Sequence, residues 1–244
     1  MLHIGGKVMN AFFRKTVAAM AFAVAATGVS ASTVTLQAQD PDDIFAGNGS
    51  AAVKLEVPFD DQSVWARAGG FGITDGINNF VGWCVNMAAT LSLPTEYTAT
   101  NTPFHSGLGF TETVAENLQS LFNTAYSTLD LSSNWQSAGF QLAMWEIIHE
   151  DPNNPLNITS GALRFTGGST LARDFAAELL AGLDGDWTGQ YNLSFFVSAN
   201  DAQGNPLSQN LVTAAPIPLP AAAWMLLAGV LALVAVGRRR RTAA

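Results

Sequence analysis

The chain has 244 residues, of which 48% are hydrophobic and only 12% are charged, and its formal net charge is −8. This composition supplies enough apolar side chains for one sizeable core, and it excludes a disordered chain or a coiled coil. All 19 acidic residues lie between Asp40 and Asp201, a stretch that holds only four cations. An acidic surface of this kind repels phosphate backbones and has no basic stripe for counterion release, so we expect no nucleic-acid partner.

Residues 1–31 have the pattern of a secretory signal peptide. Arg14 and Lys15 precede an uncharged, mostly apolar run over residues 17–29, and this run ends near the small residues Ser30 and Ala31. A positively charged start, an apolar run and a small-residue cleavage site are the three parts of such a signal. The sequence therefore predicts an exported protein whose mature part begins at about residue 32.

Residues 32–215 are predicted to form one extracytoplasmic domain, because neither a long linker nor a repeat divides them. Three segments have strand patterns. Residues 53–57 alternate apolar and charged side chains, residues 80–87 are a nearly continuous apolar run, and residues 191–198 are rich in aromatic residues and Val.

Helices are predicted between the second and third of these strands, over about residues 113–129, 133–150 and 171–182. Capping boxes open the first two helices, with Thr113 and Glu116 in one and Ser133 and Gln136 in the other. Helices in the middle of the chain with strands before and after them indicate an α+β fold. We predict an antiparallel β-sheet or barrel with a helical insertion.

The C-terminal segment, residues 216–244, has the pattern of a transmembrane helix. A charge-free stretch of 20 residues, 217–236, is followed by Gly237 and the four arginines 238–241. Such a stretch is long enough to cross a bilayer, and the arginines are expected on the cytoplasmic side. The domain is therefore expected outside the membrane, with the helix as its anchor before any processing.

The same segment resembles the PEP-CTERM class of sorting signals in its VPLPA variant. The resemblance rests on Ile217-Pro218-Leu219-Pro220-Ala221, on the short apolar helix with Trp224, and on the terminal arginines; Ile217 stands where Val is usual. It implies that a membrane exosortase removes the tail. It also implies a Gram-negative envelope or exopolysaccharide-associated protein, found at the outer surface or in the extracellular matrix and transiently in the inner membrane.

Cys84 is the only cysteine of the chain, so an exported protein of this sequence has no internal disulfide. A free cysteine is commonly an inert core residue. Gln141 offers a second explanation, since it lies in a predicted helix that is apolar nearly all round and so is expected to face other core atoms. A buried amide without partners costs about 1–3 kcal/mol, which a bond between the Cys84 sulfur and the Gln141 carbonyl carbon would remove.

These residues resemble the thioester domains of bacterial surface adhesins. The match covers Trp83-Cys84-Val85-Asn86 and Phe140-Gln141-Leu142-Ala143-Met144-Trp145, although Phe140 stands where Thr is usual and Asn86 where an acid is usual. The resemblance implies a Cys84–Gln141 thioester with Trp145 packed over it, which an amine or hydroxyl of a surface protein or polysaccharide attacks. Such a protein is consumed once, so we expect an adhesin rather than an enzyme.

Two other functions stay open at this stage. One is a non-covalent structural or biofilm matrix protein in which Cys84 is inert. The other is an exported cysteine hydrolase, with His105 or His149 as base and Asn86 or Asn79 orienting it. No cofactor is expected, and one Cys with three scattered His residues excludes a zinc cage.

Overall fold

The computed structural model describes residues 32–57, 60–87, 89–183 and 189–217. The predicted signal peptide over residues 1–31 lies outside these ranges. So do the sorting residues Pro218, Leu219, Pro220 and Ala221 and the predicted transmembrane helix. Within the described residues, no helix combines the length and the apolar character needed to span a bilayer.

The described residues form nine strands and three α-helices, and the fold is α+β. The strands are β1 Ser32–Ala38, β2 Ala51–Val57, β3 Asp60–Ala68, β4 Phe71–Thr74, β5 Asn79–Cys84, β6 Thr95–Thr100, β7 Arg164–Gly168, β8 Tyr191–Ser198 and β9 Leu211–Pro216. The helices are α1 Glu112–Ala125, α2 Asn134–His149 and α3 Thr170–Ala181, with short 3₁₀ helices at Ala46–Asn48 and Tyr126–Thr128.

Six strands close into an antiparallel barrel in the order β1-β4-β5-β9-β8-β6. The other three form a small antiparallel sheet in the order β3-β2-β7. One cluster of buried apolar side chains extends across the barrel, the small sheet and the helices. The barrel and its helical insertion therefore match the architecture expected from the sequence.

Helix α2 is the central element of the core. Its residues 137–147 are all buried, as expected for a helix that is apolar nearly all round. The Ser133 hydroxyl caps its start by accepting a hydrogen bond from Gln136 N. Gln136 does not complete the predicted capping box, because its side-chain oxygen accepts from Asp130 N instead.

An aromatic contact joins α2 to the end of β5. Trp83 and Phe140 are both fully buried, and their ring centroids lie 4.6 Å apart. Phe140 also packs edge-on against Phe122 of α1 at 5.2 Å. Since Trp83 and Phe140 precede Cys84 and Gln141 in the chain, this contact brings the helix and the strand together at those two residues.

Several predicted boundaries differ from the structure. The predicted strand over residues 80–87 begins one residue earlier, at Asn79, and ends at Cys84. The first helix is capped by Thr111, whose hydroxyl accepts from Val114 N, and not by Thr113. The strand predicted at 191–198 is confirmed as β8, and the one at 53–57 lies within β2.

Gly139 allows α2 and α3 to pack closely, and we predict that Gly139→Ala destabilises the protein. A Cβ at this position would lie 2.7 Å from the Ala172 carbonyl oxygen and 2.9 Å from a ring carbon of Phe175. Alanine favours a helix over glycine by about 1 kcal/mol, but overpacking of this kind costs about 1–3 kcal/mol. Urea denaturation of the two proteins measures the difference.

Thr113→Ala is the control for this comparison, because Thr113 is exposed on α1 and the change there raises helix propensity without a clash. We expect it to leave the free energy of unfolding within about 0.5 kcal/mol of the starting protein. A Gly139→Ala protein as stable as the starting protein would contradict the close packing of the two helices.

Candidate functional site

The structure places the Gln141 side chain directly against the backbone of Cys84. Cys84 N donates to Gln141 Oε1 at 3.0 Å, and Gln141 Nε2 donates to the Cys84 carbonyl oxygen at 2.8 Å. Cys84 is fully buried and Gln141 is 1% exposed. Two residues 57 positions apart in the chain therefore share one buried site at the junction of β5 and α2.

The start of β4 at Phe71 explains why the amide lies there. The β4–β5 ladder stops at the pair Phe71–Gly82, so Cys84 extends beyond it. On its other side, β5 still pairs with β9 through Cys84 and Leu211. The Gln141 amide takes the position that a further residue of β4 would occupy, and it satisfies both backbone groups of Cys84.

One premise of the sequence argument is wrong. The Gln141 amide was expected to lack partners, whereas both its oxygen and its nitrogen are hydrogen-bonded to Cys84. The cost of an unpaired buried amide is therefore absent in this arrangement. Cys84 and Gln141 are in contact through these two hydrogen bonds instead.

The Cys84 thiol is held in its neutral form. Burial raises the pKa of the thiol to about 12, while the Trp145 side chain and the Asn86 backbone act in the opposite direction. The thiol donates to the Asn86 carbonyl oxygen at 2.7 Å. Near neutral pH the sulfur is thus a protonated thiol in an apolar site, without the thiolate character of a reactive cysteine.

Trp145 follows Gln141 by about one helical turn and is 4% exposed. Its indole Nε1 is buried and makes no hydrogen bond of normal geometry in the described part of the chain. The indole nevertheless acts to lower the pKa of the Cys84 thiol, so the indole lies near the sulfur. Trp145 is therefore placed beside both residues of the pair.

A cavity of about 270 Å³ opens from the surface onto Gln141, and we call it the Gln141 cavity. Its polar wall residues are Arg67, Gln141 and Gln209, and the remaining walls are Leu55, Val64, Ala66, Gly69, Phe71, Met87 and Trp145. Cys84 does not line the cavity. A molecule that enters from solvent therefore reaches the Gln141 side chain, whereas the sulfur stays buried.

Within the described residues, no hydrogen bond joins the Cys84 thiol to either histidine proposed for a cysteine hydrolase. His105 accepts a hydrogen bond from Gly107 N through Nδ1, and burial lowers the pKa of His149 to about 4. Asn79 is exposed at the opposite end of β5. Asn86 does contact the sulfur, but through its backbone carbonyl, while its side-chain oxygen accepts from Asn210 N.

Two of the cavity's polar residues, Arg67 and Gln209, were not predicted from the sequence. Arg67 lies at the end of β3 and Gln209 just before β9, and neither belongs to a recognisable motif. The packing of the small sheet and of the barrel against α2 brings them to Gln141. Across the described ranges, no group of three or more His, Cys, Asp or Glu side chains is arranged to hold a metal ion.

Comparisons with protein-family models, with curated proteins and with solved structures found no match to this chain.

Glu146 is the fully buried acid of α2, and it makes the stability of the fold depend on pH. One carboxylate oxygen accepts from Asn157 N at 2.7 Å, whereas the other is buried and has no hydrogen-bond partner among the described residues. Burial is the largest cause that raises the pKa of Glu146 to about 7, and the nearby Glu150 adds to it. Folding therefore takes up a proton at this carboxyl between about pH 4.5 and 7.

We predict that Glu146→Gln makes the protein more stable than the starting protein at pH 8, by roughly 1–3 kcal/mol, because it removes a buried negative charge. The difference fades as the pH falls through 7 toward 4.5, where the carboxyl is neutral in both folded and unfolded states. Urea denaturation at pH 5 and pH 8 measures it.

His149 titrates in the opposite sense. Because its pKa is lowered, His149 reduces the stability of the fold as the pH falls from about 6.5 to 4. His149 is present in both the starting protein and Glu146→Gln, so this effect cancels in the difference between them. Glu178→Gln, at an exposed position of α3, is the matched control, and we expect it to change the free energy of unfolding by less than about 0.5 kcal/mol. An equal stability difference at both pH values would contradict the raised pKa of Glu146.

Proposed function

We propose that this protein is an exported surface or matrix protein that attaches itself covalently to a ligand through a Cys84–Gln141 thioester. The observation that carries the proposal is the pair of hydrogen bonds that hold the Gln141 amide against Cys84. Both residues are buried, and of the two only Gln141 lines the Gln141 cavity. These two observations support the proposal further.

The bond forms by an exchange within the pair. The Cys84 sulfur adds to the Gln141 side-chain carbonyl carbon, the carbon–nitrogen bond breaks, and the amide nitrogen leaves as ammonia with the thiol proton. No other reactant is needed. Because both groups are already in one site, the reaction avoids the entropic cost of bringing them together.

The surroundings favour a thioester that persists until a ligand arrives. Burial raises the pKa of the Cys84 thiol, and a thiol of high pKa is a poor leaving group as the thiolate. The sulfur lies away from the cavity, and Trp145 occupies the wall beside Gln141. Spontaneous hydrolysis is therefore expected to be slow.

Export and sorting complete the proposal. In it, the signal peptide directs the domain outward, the C-terminal helix holds it transiently in the inner membrane, and an exosortase removes the tail at the segment 218–221. The mature protein then resides at the envelope surface or in the extracellular matrix, where the target amine or hydroxyl is found. It acts once and does not turn over.

A non-covalent matrix protein is the alternative, and one observation favours it. The two hydrogen bonds between Gln141 and Cys84 satisfy every polar group of the amide contact without any reaction. In that case Gln141 serves only to satisfy the backbone N–H and C=O of Cys84 at the edge of β5. A hydrolase is less well supported, because a fully buried thiol with a pKa of about 12 provides little thiolate at neutral pH.

We predict that the native protein is lighter than its sequence by the mass of one ammonia. The loss should map to the peptides that contain Cys84 and Gln141, and Cys84 should resist alkylation even after unfolding. Mass spectrometry of the protein isolated from the exporting cell measures both. Cys84→Ala should restore the ammonia and keep the fold, because the core does not depend on the covalent bond.

Methylamine distinguishes the candidate functions. The thioester protein should take up one equivalent at Gln141, free the Cys84 thiol and then stop. A full native mass, with Cys84 readily alkylated on unfolding, would rule out the thioester and favour the matrix protein. Methylamine uptake that persists in Cys84→Ala would place the electrophile elsewhere.

A separate prediction concerns processing. Replacing residues 218–221 by four alanines should leave membrane insertion intact, because the apolar helix drives it, and should block removal of the tail. Immunoblotting of membrane and culture fractions, with a tag placed after residue 244, measures both effects. Arg238 to Ala244 retained on the unaltered protein at the cell surface would contradict exosortase processing.

A further inference from the structure

Among the described residues that line the Gln141 cavity, no side chain can readily take a proton from an attacking group. They include one cation, Arg67, and two neutral amides, Gln141 and Gln209, but neither a carboxylate nor a histidine. The chemistry of the wall therefore restricts which nucleophile can react there. This inference rests on the proposed thioester.

Gln209 lies in an ordered position beside the pair. Asn210 N donates to Asn86 Oδ1 at 2.8 Å, and Val85 N donates to the Asn210 carbonyl oxygen at 3.0 Å, so the chain around Gln209 continues the β5–β9 ladder. The Tyr97 hydroxyl donates to the Gln209 carbonyl oxygen at 3.1 Å. These contacts hold the residue at one place in the cavity wall.

The side-chain oxygen of Gln209 has an unused capacity to accept hydrogen bonds. Gln209 Oε1 is buried and has no hydrogen-bond partner within the described part of the chain, and the residue lines the same cavity as Gln141. A buried acceptor of this kind is costly unless a donor meets it. A nucleophile that approaches Gln141 supplies such a donor as N–H or O–H.

We propose that Gln209 is a positioning residue that directs a primary amine, rather than a hydroxyl, at the Gln141 carbonyl carbon. A neutral amine carries two hydrogens, so one N–H can donate to Gln209 Oε1 while the nitrogen lone pair points at the carbon. The carbon–nitrogen bond forms, the carbon–sulfur bond breaks, and the proton lost by nitrogen ends on the Cys84 sulfur.

A hydroxyl reacts poorly in the same cavity. Its one proton must be removed as the oxygen attacks, and an amide oxygen is too weak a base to take it. The amine needs no such base, because nitrogen attacks in its neutral form and becomes acidic only after the bond has formed. The absence of a base among the wall residues therefore separates the two classes of nucleophile.

The cavity also favours the reactive form of the amine. Its walls are mainly apolar, and Arg67 lies over the Phe45 ring, with the guanidinium carbon 4.8 Å from the ring centroid. Desolvation and a neighbouring cation both lower the pKa of an incoming ammonium group. The cavity has a volume of about 270 Å³ for the side chain that carries the amine.

The experiment compares the full-length protein with Gln209→Leu, Gln209→His and the control Gln203→Leu. Gln203 is exposed in the loop before β9, so its replacement repeats the chemical change away from the cavity. Each protein is first checked for the loss of one ammonia. It is then incubated with methylamine or with glycerol, and adducts at Gln141 are followed by mass spectrometry over time.

We expect Gln209→Leu to retain the thioester but to lose roughly tenfold in methylamine rate, the effect of one hydrogen bond. Gln203→Leu should react like the unaltered protein, and that protein should form no glycerol adduct. Gln209→His places a base in the cavity, so a glycerol adduct should appear. If Gln209 had only a structural role, its replacement would not change which nucleophile reacts.

The failures are distinguishable. A thioester that forms normally in Gln209→Leu and reacts with methylamine at the unaltered rate overturns the role of Gln209. Glycerol adducts on the unaltered protein, at rates similar to methylamine, overturn the selection of amines. The absence of any thioester in the unaltered protein overturns the proposed function and this inference together. If Gln209→Leu does not form the thioester, the glycerol comparison between the unaltered protein and Gln209→His tests the selection of amines.

Discussion

The start of β4 at Phe71 is the constraint on which the site depends. Because its ladder with β5 stops at the pair Phe71–Gly82, the backbone of Cys84 is left without a neighbouring strand on that side. A buried N–H and C=O must be satisfied, and the side chain of Gln141 does so from α2. A helix residue thus completes a strand edge inside the core. The same contact places an amide carbon beside a cysteine.

Burial acts on this pair in two ways. It raises the pKa of the Cys84 thiol to about 12, which suppresses the reactions of a free thiolate. It also hides the sulfur behind Gln141, which is the member of the pair that faces the Gln141 cavity. A thioester in this setting would be protected on the sulfur side and accessible on the carbonyl side, as a single-use covalent anchor requires.

Much of the fold could be predicted from local patterns. The Ser133 cap, the apolar α2 and the strand β8 each carry a strong signal within a few neighbouring residues. Strands such as β4, β6 and β9 were not predicted. They have only four to six residues, and β6 is rich in Thr and carries Glu96. Pairing in the closed barrel stabilises them, and no short window of sequence contains that information.

The sequence by itself indicated which two residues meet, because a lone cysteine in a chain predicted to be exported and a glutamine in an apolar helix are each unusual without the other. It also carried the patterns of export and sorting at the two ends. Only the tertiary structure decided how the pair meets. The orientation of the Gln141 amide follows from the start of β4 at Phe71, and the positions of Arg67 and Gln209 follow from the packing of the small sheet and the barrel against α2. These are long-range contacts, set by the packing of elements far apart in the chain, so local sequence does not specify them.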